Sequence, residues 1–141
     1  MAASLLTGVP RVMERSEIPV MQSTTVDDRD HIRAMWPRFE QRVGLRGRKM
    51  YALIDTARAT YTVCTPVREE DDPASLDLQT GVLPGGRYLR GRLVGQPPEL
   101  YDVIPGAMAE LGAGAARDRG RPLVEFYRRH DQIELWVPIL R

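Results

Sequence analysis

Residues 32–44 read IRAMWPRFEQRVG and residues 100–112 read LYDVIPGAMAELG. Laid over each other at a separation of 68 residues, Ile32 meets Leu100, Met35 meets Val103, Trp36-Pro37 meets Ile104-Pro105, and Val43-Gly44 meets Leu111-Gly112. In the first segment Ile32, Met35, Trp36, Phe39 and Val43 fall on one stripe of a helix, and Leu100, Val103, Ile104, Met108 and Leu111 do so in the second. Asp27 and Asp28 supply an N-terminal cap and Gly44 a stop; Pro97 and Pro98 open the second helix and Gly112 closes it. A proline inside each stripe predicts a kink or a late start.

Working outward, Val20 to Val26 meets Tyr88 to Val94 at the same separation, and Thr65-Pro66-Val67 meets Val137-Pro138-Ile139 at 72 residues. Four extra residues in the Gly/Ala/Arg-rich loop from Ala113 to Arg121 explain the change. Strands are expected at about Ile18 to Val26, Lys49 to Asp55 and Tyr61 to Val67, and again at about Arg87 to Val94, Leu123 to Tyr127 and Ile133 to Ile139. The acidic run Glu69 to Asp72 reads as an exposed linker, and Leu76 to Val82 as an extra strand before a Pro84-Gly85-Gly86 turn. The fold class is therefore α+β, one domain over 1–141, with two strand-helix-strand-strand repeats at about 16–68 and 75–141. Antiparallel sheets related by a pseudo-twofold would cover each other and leave a ligand cleft between the halves.

Composition excludes several classes. At 141 residues and a net charge of +1 there is no basic field to hold nucleic acid, so no direct nucleic-acid binding is expected. No apolar run reaches the ~18 residues of a membrane span, and no signal peptide is recognisable, which predicts a cytoplasmic protein without membrane contact. Cys64 is the lone cysteine and reads as a small core or pocket-lining residue. His31 and His130 fall at a helix start and a turn, without metal-ligand spacing. Neither a phosphate loop nor a nucleophile elbow occurs, so neither cofactor nor metal is expected.

Pro84-Gly85-Gly86-Arg87-Tyr88, the stretch Gly95 to Tyr101, Val124-Glu125-Phe126-Tyr127 and Ile133 to Ile139 together resemble the GyrI-like small-molecule-binding family. The same SHS2-like fold serves as the effector-binding domain of bacterial multidrug-responsive transcription activators. Val124 stands where the family usually has tyrosine, the approach to Tyr101 is longer than the family's, and the ~15 residues before the first repeat leave no room for a helix-turn-helix. The resemblance implies that Glu125 lies at the cleft floor and meets cationic lipophilic ligands; the alternative is an internal pair with an arginine, for which Arg90 and Arg92 are candidates. Strand alternation then places Leu123 and Tyr127 beside Glu125 in the cleft, with Val124 and Phe126 toward the helix. On the last strand Ile133, Leu135, Val137 and Ile139 are expected on the helix side and Glu134 and Trp136 in the cleft. By the repeat, Tyr51 and Leu53 join them, while Tyr88 and Tyr101 follow from the resemblance. Trp36 reads as core.

Three functions are compatible with this pattern. The first is a stand-alone domain that binds hydrophobic or cationic aromatic small molecules, for drug or toxin sensing or sequestration, either as a homodimer or with a separate regulatory partner. The second, implied by the resemblance, is a hydrolase that opens the cyclopropane of DNA-alkylating natural products, with Glu125 and Tyr127 as its catalytic carboxylate and acid. The third is a protein-level inhibitor, such as of DNA gyrase.

Overall fold

Period-2 alternation of apolar residues dominates the chain, and strands dominate the structure. The computed structural model describes residues 3–140; residues 1, 2 and 141 of the expected domain lie outside the described residues. In chain order the strands are β1 (Arg11–Arg15), β2 (Ile18–Val26), β3 (Met50–Asp55), β4 (Thr60–Pro66), β5 (Gln79–Leu83), β6 (Gly86–Val94), β7 (Leu123–Arg129) and β8 (Gln132–Pro138). Helix α1 (Arg29–Val43) follows β2, and α2 (Glu99–Asp102) with α3 (Ile104–Ala113) follows β6. All eight strands form one curled antiparallel sheet in the order β1-β6-β8-β7-β3-β4-β2-β5. The α+β class holds, with a single continuous sheet in place of two sheets facing each other.

The curl follows from two short links. β1 and β2 stand six strand positions apart yet are joined by Ser16 and Glu17 alone; β5 and β6 are equally far apart and joined by Pro84 and Gly85. Six spacings of about 4.8 Å come to nearly 30 Å in a flat sheet, whereas a two-residue link reaches roughly 10 Å. The sheet must bend until its ends meet. They meet at Gly85, where an added Cβ would lie 2.7 Å from the Glu17 backbone nitrogen and 2.8 Å from the Arg15 carbonyl oxygen. The concave face closes over Val20, Tyr51, Cys64, Leu83, Tyr88, Val124 and Trp136, each 1% exposed or less without a helix against them. Burial pushes the Cys64 thiol up to about 12, so it is an inert packing group.

The convex face carries the helices. Helix α1 packs on β2 and β4 through Phe39 and Val43, and α3 packs on β6 and β8 through Ile104, Ala107, Met108 and Leu111. Asp28 caps α1, its Oδ1 accepting from the His31 backbone N–H at 2.9 Å. Pro37 lies inside α1, which continues through it, whereas Pro105 sits in the first turn of α3 and separates it from the single turn of α2. None of the helices is long and apolar enough to cross a membrane.

Two expectations about the segment between the helical units need correction. Asp71 is not a solvated linker residue. It forms a largely buried bidentate pair with Arg48 at 2.6 and 2.7 Å, tying the linker to the turn after α1. The extra strand begins only at Gln79, because Pro73–Leu76 winds into a single 3-10 turn.

Candidate functional site

Helix α1 on one side and α2 with α3 on the other flank the middle of the sheet and leave a trench over the central pair, β3 and β7. Glu125 is in the middle of that floor, opposite Ala52 in the β3–β7 register. The trench encloses about 1410 Å³ and is walled by Ile32 and Trp36 of α1, Tyr101 of α2, and Ile104 and Met108 of α3. Met50, Ile54, Tyr61, Leu123, Glu125 and Tyr127 rise from the strands.

Glu125 is 7% exposed and no arginine or lysine pairs with it among the described residues. Its Oε1 accepts from the Tyr127 hydroxyl at 2.6 Å and from the Tyr61 hydroxyl at 3.0 Å. The Trp36 indole N–H donates to the Tyr61 oxygen at 3.1 Å, extending the network to α1. Burial pushes the Glu125 carboxyl above its ordinary value; the two phenolic donors pull it down, and the nearby Asp27 charge adds a smaller upward push. Burial, with the Glu125 charge next, also holds both phenols well above their usual range, so Tyr61 and Tyr127 stay protonated donors. Around the carboxylate stand aromatic faces: Trp36 meets Tyr127 edge-on at 4.9 Å between ring centroids, and Tyr101 meets Tyr127 at 6.3 Å. The result is an aromatic, hydrogen-bonded cup with one buried carboxylate at its floor, open to solvent past the exposed ring of Tyr101, with arginines and carboxylates both on the wider lining.

The structure brings Glu125, Tyr127 and Tyr101 together in the trench. Trp136, Tyr51, Leu53 and Tyr88 it places on the opposite, concave face, with Val124 and Phe126. There Tyr51 stacks on Phe126 with centroids 4.6 Å apart, and Tyr88 packs on Trp136 at 5.6 Å. Glu134 is on that face too, accepting from the Trp136 indole N–H at 3.0 Å and from Arg128 at 3.0 Å. Arg90 approaches Glu134, not Glu125, at 4.0 Å. The sequence expectation sets helix side and cleft side on opposite faces of the sheet. Here the helices are the walls of the trench, so the two sides are one face, and the curl seals the other.

Tyr51 and Leu53 are on the wrong face for a second reason. The 72-residue separation keeps β4 and β8 in phase, Tyr61 with Ile133 and Val63 with Leu135 both facing the helices. Going back into β7, the turn shortens from residues 56–59 to residues 130–131, which preserves parity. A β-bulge between Phe126 and Arg129 then inserts one residue and reverses it, so Ala52 rather than Leu53 shares the face of Glu125. Sequence reasoning missed Tyr61 and assigned Trp36 to the core. The signal for Tyr61 was present: it alternates with Val63 on the strand beside β3, a polar-tipped ring in an apolar row. Among the described residues no group of three His, Cys, Asp or Glu could hold a metal.

No family model and no curated protein matches the sequence. Solved structures do resemble it. Integron cassette protein VCH_CASS2 from Vibrio cholerae superposes with a TM-score of 0.67 at 15% identity, over 93% of this chain and 95% of that one. SAV2435, solved bound to tetraphenylphosphonium, gives 0.67 at 16% identity over 94% of each chain. The C-terminal domain of EcmrR gives 0.63 at 13% identity over 94% of this chain and 98% of that one. At these identities the likeness is one of fold, and it is consistent with a GyrI-like fold.

Proposed function

We propose that this chain is a single GyrI-like domain that binds a hydrophobic, cationic small molecule in the trench between its helices. The observation that carries the reading is Glu125: a buried carboxylate with two phenol donors and no basic partner, ringed by Trp36, Tyr101 and Tyr127. Such a group is costly to ionise in isolation, and a cation seated against it recovers that cost. Aromatic faces add cation–π attraction and flat apolar contact. The tetraphenylphosphonium held by SAV2435 on the same fold supports this chemistry. The palindromic strand order β6-β8-β7-β3-β4-β2 supports the finer proposal that the domain is two strand-helix-strand-strand copies about a pseudo-twofold, with the trench at their junction. The domain would act in the cytoplasm by sequestration, or by signalling as a homodimer or to a separate regulatory partner. The phosphonium-bound and regulator neighbours support binding, and the ring-opening hydrolase is not supported.

Calorimetry with tetraphenylphosphonium and the neutral triphenylphosphine oxide tests this reading. Glu125→Gln should weaken the phosphonium by about 1–3 kcal/mol, roughly ten- to a hundred-fold, and the neutral oxide far less. Equal losses for both ligands, or none for either, would make Glu125 a structural residue and remove the cation from the proposal.

A further inference from the structure

On the other side of the sheet, at the open end of the curl, is a second depression of about 320 Å³. Its floor is Tyr51, Ile18 and Pro66, and its rim carries Arg15, Arg48, Lys49 and Arg68. No carboxylate lines it. The charge of Arg48 is cancelled by its buried pair with Asp71. Arg15, Lys49 and Arg68 have no ion-pair partner among the described residues. Arg15, which lines the depression, is half-buried, its guanidinium 4.9 Å from the ring centroid of the fully buried Trp136. Arg68 is anchored by donating to the carbonyls of Arg46 and Gly47.

We infer that this depression is a second binding site, for a small oxyanion of the phosphate type, independent of the Glu125 trench. Three cations gathered around one concavity, none of them in a contact ion pair and with the neighbouring Asp71 and Glu134 already held by Arg48 and Arg128, repel one another, and a bound anion converts that repulsion into attraction. The guanidinium groups supply directional N–H donors suited to a tetrahedral oxyanion and Lys49 a mobile point charge. The phenol of Tyr51, lining the floor, adds an O–H donor. The apolar floor beside the cations also accommodates an organic ester of the same anion. Because Tyr51 and Ala52 are neighbours on β3 with opposite facing, the two sites lie back to back across one strand.

Thermal unfolding and phosphorus NMR line broadening test this, with inorganic phosphate exchanged for chloride at constant ionic strength. Phosphate should raise the melting temperature above the chloride baseline and broaden the phosphate resonance. Lys49→Gln, an exposed substitution, should weaken phosphate binding about three- to ten-fold, and Glu125→Gln should leave it unchanged. Phenyl phosphate that binds more tightly than inorganic phosphate assigns the site to an organic ester, and equal binding assigns it to the free ion. A phosphate effect equal to that of chloride, or one that Lys49→Gln leaves intact, overturns the proposal. Neither outcome bears on tetraphenylphosphonium binding, so the two sites are judged separately.

Discussion

Glu125 makes the trench sensitive to protons. Its carboxyl is raised above the unfolded value, so the native state holds the proton more tightly than the unfolded chain does. Its contribution to stability is fully present below the unfolded carboxyl value and is lost as pH rises through the folded one. Urea denaturation from pH 4 to pH 8 should therefore show the parent losing stability relative to Glu125→Gln, and saturating tetraphenylphosphonium should cancel that loss. A cation favours the ionised carboxylate, so binding should release protons and strengthen with pH. Calorimetry in two buffers of different ionisation enthalpy measures the release directly; identical heats in both would remove the linkage. This residue was legible because a charged side chain between Val124 and Phe126, mid-strand, demands an explanation. Its donor Tyr61 carried only the weaker signal of a polar-tipped ring in an apolar row, which points nowhere until the partner across the sheet is known.

At the scale of elements, the Arg48–Asp71 pair fastens the long connection to the C-terminal end of α1, where Arg48 also donates to the Val43 carbonyl at 3.3 Å. The Arg48 guanidinium and the Arg68 backbone N–H hold the Asp71 carboxyl down at about 2. Here the sign is the reverse of that at Glu125: the stabilisation is present above the unfolded value and is lost as pH falls through about 2. Asp71→Asn leaves a buried guanidinium short of its partner and should cost about 3 kcal/mol at neutral pH, read by chemical denaturation. A loss below about 0.5 kcal/mol would mean that water replaces the carboxylate freely. The helices and most strands were readable from their periods, and Asp28 and Gly44 from their chemistry. The bulge in β7 was not, for it falls at Tyr127 and Arg128 without a glycine or any other residue that marks one. A single inserted residue was enough to send Tyr51 and Leu53 to the far face.

Across the whole molecule, the curl depends on Gly85 passing against the backbone of Arg15 and Glu17. Gly85→Ala forces those two links apart and should destabilise the protein by about 1–3 kcal/mol in chemical denaturation; an unchanged midpoint would show that the seam between the sheet ends is loose. The sequence repeat predicts two halves set side by side, each covering the other's open sheet face; it does not reveal that the two-residue links join strands at opposite ends of one sheet. β8 has the remaining consequence. Among the described residues it is the one strand between β6 and β7, so there the β1–β6 ribbon joins the sheet ladder through β8. On a ribosome, β1 is made before β6 and must wait for it, and both wait for β8, the last of the three in chain order. Until residues 132–138 leave the exit tunnel, the nascent chain carries an unclosed ribbon whose inner face holds Met13 and Tyr88. Closure of the curl thus waits for β8, and a chain still short of it is the form a chaperone would meet.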